Sequence, residues 1–299
     1  MGKTKGGKGM NEYTYQWNPK DAADPTSPIL KITKSSAVGS YKWCPKKYEF
    51  SYIQGLPQDT TAPMIKGSAV HNSREDFFKE FDVEKAENMS HSELIEYNLG
   101  LHPIDDYGDI YRNIATFEAQ RFVQARDENK LETYIPIINE VLLDAEIEIA
   151  HDACPKVGYL QANYTVHLQG IIDRVFLDSG KYIPIELKTG MWKDWKAGNM
   201  RKEMSFYKLL IDNAPEESLE AAGIDANIPI THWGWYYPES NYIHVEKVKK
   251  ASMSSLMRLF VTMIKSYEDN DFKANYYFKT CQHCSFYPIC DKAQEEAWL

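Results

Sequence analysis

The chain has 299 residues, 43% hydrophobic and 13% aromatic, with a formal charge of −9. That length and apolar content suit a folded globular protein, built as one large domain or two modest ones. No apolar run is long enough to span a bilayer and no signal-peptide segment opens the chain, so a membrane partner is excluded and a cytoplasmic setting is expected.

Residues 1–28, opening MGKTKGGKG, are rich in Gly, Lys, Asp and Pro and are expected to form a disordered tail. Residues 29–299 are expected to form a single domain in three parts. The first, 29–135, is mainly helical. Helices are predicted from Ser36 to about Ile53 with a break at Cys44-Pro45, from Met64 to Phe81, and from Tyr107 to Leu131, where Ile110, Ile114, Phe117 and Phe122 recur with helical spacing. The second part, 136–250, carries alternating β-branched segments at 137–149, 164–177 and 182–188, with Ser179-Gly180 as a tight turn. A helix at 199–213 and strands near 230–237 and 242–248 complete it. The third part, 251–299, is a helix from Ser252 to about Asp269 followed by a cysteine-rich end. The order of elements predicts an α/β fold with a central mixed sheet flanked by helices.

Five cysteines in a chain without an export signal favour metal binding over disulfides. Cys281, Cys284 and Cys290 form C-x2-C-x5-C, and Cys44 lies far upstream in SYKWCPKKYEF. Thiolates in this pattern suit a tetrahedral Zn(II) or an iron–sulfur cluster, with His283 as a further zinc donor. Such a clasp closes a very long loop and restricts the unfolded chain. Cys154 is left as an ordinary thiol.

The hairpin GIIDRVFLDSGKYIPIELKTG carries the densest chemistry. Alternation puts Glu186 and Lys188 on one face of their strand, and pairing across the turn brings Asp173 beside Glu186. Two adjacent carboxylates repel unless a cation lies between them, and oxygen donors of this kind suit Mg(II) or Mn(II). Lys188 on the same face is placed to orient an attacking water or to offset charge on a phosphoryl group. Asp144, Glu146 and Glu148 share one face of the preceding strand, and Glu146 or Glu148 is a candidate further carboxylate.

GIIDRV…IPIELKTG resembles the core of the PD-(D/E)XK nuclease superfamily, and within it the RecB-like branch. GSAVH at 67–71 resembles that branch's G-x-x-x-H helix, which implies His71 as a metal ligand with Asp173 and Glu186. Glu203-Met-Ser-Phe-Tyr207 stands where the branch carries Q-x-x-x-Y, which implies roles for Tyr207 and, with glutamate in place of glutamine, for Glu203. The four cysteines are similar to those that hold a [4Fe–4S] cluster in some RecB-like nucleases, in the CRISPR-associated adaptation nuclease family and in AddB-type nuclease domains. The resemblance implies a restriction-endonuclease-like nuclease domain over 29–299, with a helical amino-terminal part and a carboxy-terminal cysteine clasp.

The activity so implied is metal-dependent DNA hydrolysis, as an exonuclease on ends or single strands in recombination or repair. Asp173, Glu186 and Lys188 would carry it. The alternative is a non-catalytic subunit that keeps the fold and cluster to bind DNA or a helicase. The net acidity decides neither reading, because Lys42, Lys46 and Lys47, then Lys193, Lys196, Arg201 and Lys202, form local basic patches. Trp192 and Trp195 either stack on nucleobases or pack over the core. The chain has no P-loop, so unwinding would need a helicase or recombination partner, and an oligomer is compatible with the sequence.

Overall fold

The computed structural model describes residues 29–32, 35–102 and 107–297. The expected tail at 1–28 lies outside the described residues. In chain order, the first elements are β1 (Ile29–Ile32), α1 (Ser35–Trp43), α2 (Pro45–Tyr48) and a π-turn at Glu49–Ile53. The break between α1 and α2 falls at Cys44, which is extended at φ −158° and ψ 108°. Proline at 45 disfavours helical backbone at the residue before it, so the sequence itself fixes this break.

Next come α3 (Ala62–Glu80), α4 (Val83–Ala86), α5 (His91–Gly100) and α6 (Gly108–Asp127). Pro63 opens α3, where its missing N–H costs nothing. A capping box holds the start of α5: Ser90 accepts from the Glu93 N–H while the Glu93 carboxylate accepts from the Ser90 N–H. α5 is an addition to the helices expected from the sequence.

The remaining elements are β2 (Ile138–Ile149), β3 (Tyr164–Asp178), β4 (Lys181–Leu187), α7 (Ala197–Asn213), α8 (Glu216–Ala221), β5 (His232–Tyr237), β6 (Tyr242–Lys247), α9 (Lys250–Glu268), α10 (Phe278–Cys281) and α11 (Asp291–Ala297). Ser179 and Gly180 take φ values of 51° and 70°, the left-handed pair that a two-residue hairpin between β3 and β4 requires.

The strands form one six-stranded mixed sheet in the order β1-β3-β4-β5-β6, with β2 also paired to β3. β3 and β4 are antiparallel, β4 and β5 parallel, and β5 and β6 antiparallel. The parallel step needs a crossover, which α7 and α8 supply. Gly234 on β5 is a forced choice, since a Cβ there would meet the His244 carbonyl oxygen at 2.5 Å and Ile185 Cδ1 at 2.7 Å. The α/β class with a helical amino-terminal part agrees with the sequence. β1 is an addition to it, paired parallel to Thr165–Leu168.

The chain divides into two compact units. One takes the described residues of Met1–Asp59, Glu146–Leu168 and Arg258–Leu299; the other takes Thr60–Ala145 and Gln169–Met257. In the first, the Tyr41 hydroxyl bonds Ser266 Oγ at 2.6 Å and donates to the Thr262 carbonyl, while Tyr48 packs on Phe272 and Phe50 on Phe286. In the second, Phe77, Phe78, Phe81, Phe122 and Tyr134 form an aromatic core. A further core in the same unit joins Val70, Ile110 and Ile114 to Ile185, Leu187 and Tyr236. These contacts fix α3 and α6 against β4 and β5 and so set the position of His71.

Candidate functional site

Arg174 on β3 lies opposite Ile185 on β4, and one residue further along the same register puts Asp173 across from Glu186. Both carboxylates are buried, at 5% and 2% exposure. Asp173 Oδ2 accepts a 2.8 Å hydrogen bond from the Leu187 N–H, which ties the acid to the end of β4. The Lys188 N–H donates to the Tyr236 carbonyl at 2.9 Å, so β5 holds the lysine backbone. The Lys188 ammonium donates to Glu186 and, at 2.9 Å, to Glu203. Glu203 and Tyr207 are one turn apart on α7, and Tyr207 lies buried beside Glu186.

His71 comes in from α3. Its Nε2 is 3.1 Å from the Leu187 carbonyl oxygen, and its Nδ1 is 3.2 Å from Glu140 Oε1 and 3.6 Å from Asp173 Oδ1. Ligand atoms of His71, Glu140 and Asp173 all lie within 4.8 Å of one another. All the residues expected at this site, namely His71, Asp173, Glu186, Lys188, Glu203 and Tyr207, therefore fall in one neighbourhood of one unit.

Burial works against the His71 imidazolium, yet Asp173, Glu140 and Glu186 outweigh it and push the pKa up to about 9. Burial, then Asp173, raises the Glu186 carboxyl. For Lys188 burial opposes the charge, and Glu186 and Glu203 overcome it, holding the ammonium well above its usual pKa. Burial and the same acids raise the Tyr207 phenol, which stays neutral. Glu186 Oε2 is buried without a hydrogen-bond partner. Two acids, Glu140 and Asp173, face an imidazole nitrogen, and Glu186, with its unsatisfied buried oxygen, lies beside Asp173. A hard divalent cation fits this donor set.

Glu140 is the member that sequence reasoning missed. The proposed further acids, Glu146 and Glu148, are exposed on β2 and belong to the other unit. Strict alternation groups Glu140 with them, but its backbone is left-handed at φ 61°, and its carboxylate reaches His71. A glutamate inside a strand gives no sequence signal for that conformation.

The flanking residues divide. Trp192 is stacked on Tyr242 at 4.7 Å and on Trp235 at 5.9 Å, so it packs over the sheet, whereas Trp195 is 72% exposed. Arg201 is committed to a two-pronged pair with Glu246 and is not a free phosphate contact. Lys196 donates to the Met191 carbonyl and stands over the Tyr237 ring.

In the other unit, Cys44, Cys281, Cys284 and Cys290 line one small apolar cavity with Phe50 and Phe286. Neither these four nor Cys154 is in a disulfide. Burial raises the Cys284 thiol, partly offset by a backbone hydrogen bond and Lys47. The Tyr277 N–H points at Cys281 Sγ at 3.3 Å. Among the described residues no three of these sulfurs come within 4.8 Å of one another. A zinc ion about 2.3 Å from each would need them closer.

A sequence profile described as the PD-(D/E)XK nuclease superfamily matches residues 35–291. The crystal structure of SSO0001 aligns with 77% of this chain and 98% of its own, at 14% identity and a TM-score of 0.32. No curated protein matches the chain.

Proposed function

This chain belongs to the PD-(D/E)XK nuclease superfamily, and on that footing we propose a metal-dependent deoxyribonuclease of the RecB-like branch that acts on DNA ends or single strands. The observation that carries the reading is the convergence of His71, Glu140 and Asp173 ligand atoms beside Glu186 and Lys188. Residues 29–299 form a single nuclease domain in this reading, since the family match runs through both units. The free cysteines fit a reducing, cytoplasmic setting. Among the described residues no helix is long and apolar enough to cross a membrane.

His71, Glu140, Asp173 and Glu186 would hold Mg(II) or Mn(II). When bound, such an ion polarises a phosphoryl oxygen and makes water more acidic. The protein's own groups do the rest. Lys188, kept charged by Glu186 and Glu203, is positioned to orient a water and to balance charge gathering on the phosphorus. Leu187 fixes both flanking groups, its N–H on Asp173 and its carbonyl on His71, so the acids keep their orientation. The Tyr207 hydroxyl stays protonated and able to donate to Glu186. Exposed Trp195 offers a stacking face for an unpaired base.

Cys44, Cys281, Cys284 and Cys290 would hold a [4Fe–4S] cluster with a structural role. The four cysteines lining one cavity support a shared metal centre, and the resemblance to cluster-bearing RecB-like nucleases favours the cluster over zinc. Any helicase or recombination partner would supply unwinding.

The test is cleavage of single- and double-stranded DNA labelled at either end, with Mn(II), Mg(II) or chelator. Metal-dependent release of short products from an end, lost in Asp173→Ala and Lys188→Ala, is expected. Activity equal in those variants would overturn the assignment. DNA binding without cleavage under any metal would favour the non-catalytic subunit.

A further inference from the structure

Successive residues of β3 point to opposite faces, so Arg174 faces away from Asp173. On that second face lies a solvent-open cleft of about 230 Å³, lined by Arg74, Glu118, Arg121, Arg174, Phe176 and Tyr236. Three guanidiniums there share one deeply buried carboxylate. Glu118 pairs with Arg74 and, at 2.6 Å, with Arg121. Arg174 has no ion-pair partner among the described residues. Asp178 stands only at the exposed rim.

Glu118 is the one buried acid among the described residues lining the cleft, although Asp173 and Glu140 act on Arg174 from the other face. Arg74 and Arg174 are 1% and 2% exposed. Arg74 Nε and Nη1, and Arg174 Nε and Nη2, have no hydrogen-bond partner. Four buried donors without acceptors on positive groups are costly, and breaking such a balance is ordinarily strongly destabilising. Ring faces soften it in part: Arg74 lies over Phe77 and Phe78, Arg174 over Phe78, and Arg121 over Phe176 at 4.3 Å. Rings supply no lone pairs in the plane of the fork. An oxyanion with several acceptor oxygens does, and arginine forks match its geometry.

We propose that this cleft is an anion site for a phosphate group, either inorganic phosphate or the phosphate of a nucleoside monophosphate. Its volume is below the roughly 300–1,000 Å³ of sites that enclose drug-sized ligands, which suits a small anion or the charged head of a larger molecule. Ile243 and Val245, which also line the cleft, are 41% and 47% exposed, and Phe117 stacks on Tyr236 at 4.4 Å. They form an apolar margin on which a sugar and base can rest. The cleft opens on the sheet face opposite the carboxylates proposed to hold metal, although Arg174 still feels the charges of Asp173 and Glu140.

The experiment is calorimetric titration of chelator-treated full-length protein with inorganic phosphate, and separately with a nucleoside monophosphate. One saturable site per chain is expected, weakened about ten- to hundredfold in Arg121→Gln, the worth of one charge-assisted hydrogen bond. Arg121 is partly exposed, so that variant should fold. Arg174→Lys, which keeps the charge and loses the fork, should weaken binding while circular dichroism stays unchanged. Glu203→Gln, which alters the carboxylate face without touching an acid that acts on Arg174, should bind as the parent does. A monophosphate that outbinds phosphate assigns the apolar margin to base and sugar; equal affinities assign the cleft to phosphate alone. Absence of saturable binding, or binding that Glu203→Gln removes and Arg121→Gln leaves intact, overturns the proposal.

Discussion

The two ligand clusters of this chain are built in opposite ways. The carboxylate cluster sits on strand ends and a long helix, and protein hydrogen bonds hold its members: Asp173 on the Leu187 N–H, His71 on the Leu187 carbonyl, Lys188 on Glu186 and Glu203. The cysteine cluster sits at a helix break and on short turns, and its sulfurs make only weak contacts, such as that of the Tyr277 N–H with Cys281. The first is preorganised before any ion arrives. The second, if it holds the proposed cluster, would take its order from it.

The largest effect expected from this contrast is chemical. Asp173→Ala should lower DNA cleavage by about a thousandfold or more, as loss of a charged group at a reacting centre does, while circular dichroism and melting stay near the parent. A melt lowered as much as the activity would mean that the acid serves folding first.

Cys290→Ser should do the reverse. Visible absorbance from an anaerobically purified cluster should vanish, and the melting temperature should fall by on the order of 10 °C, because the clasp closes a very long loop. Colourless parent protein with stoichiometric zinc would assign the thiols to zinc and leave the carboxylates untouched.

Glu140→Gln tests a finer point. Mn(II) affinity should drop about ten- to hundredfold, whereas Glu146→Gln should leave it unchanged. Equal effects of both would dissolve the distinction drawn along β2.

Per pH unit the smallest effect is a pH slope in the carboxylate-bearing unit. His102 is stacked between Phe77 and Tyr111 and bonded to Ser73 Oγ at 2.6 Å. Burial and then Arg74 depress its pKa from 6.5 to about 3. The unfolded chain therefore takes up a proton below pH 6.5 that the folded chain refuses. Its contribution is complete above that pH and is lost as pH falls toward 3, by up to about 1.4 kcal/mol per pH unit. Denaturant titrations across that range should show the slope, and His102→Gln should flatten it.

Much of the carboxylate cluster was legible because a hairpin obeys two simple rules. Period-two alternation put Glu186 and Lys188 together, and Ser179-Gly180 marked the turn that brings Asp173 across. His71 and Tyr207 came only through resemblance, since nothing in a helix announces which distant strand it will meet. Glu140 was hidden because a left-handed residue breaks the alternation used to sort its strand. β1 was hidden because its four residues border a glycine- and lysine-rich stretch and pair with residues far along the chain. For α5 the signal existed in Ser90-x-x-Glu93 before an apolar run. The buried arginine cluster left no trace, because which cations share one acid is a property of three dimensions.

One backbone angle has a wider meaning. Outside glycine and asparagine, a left-handed residue carries a standing penalty of about 1–3 kcal/mol, and Glu140 bears it at φ 61°. Glycine there would relax the strand and give up a carboxylate. A screen for thermal resilience alone would therefore tend to select Glu140→Gly and discard ion affinity along with the strain. Variants of this chain bred for durability should be assayed for metal at every round.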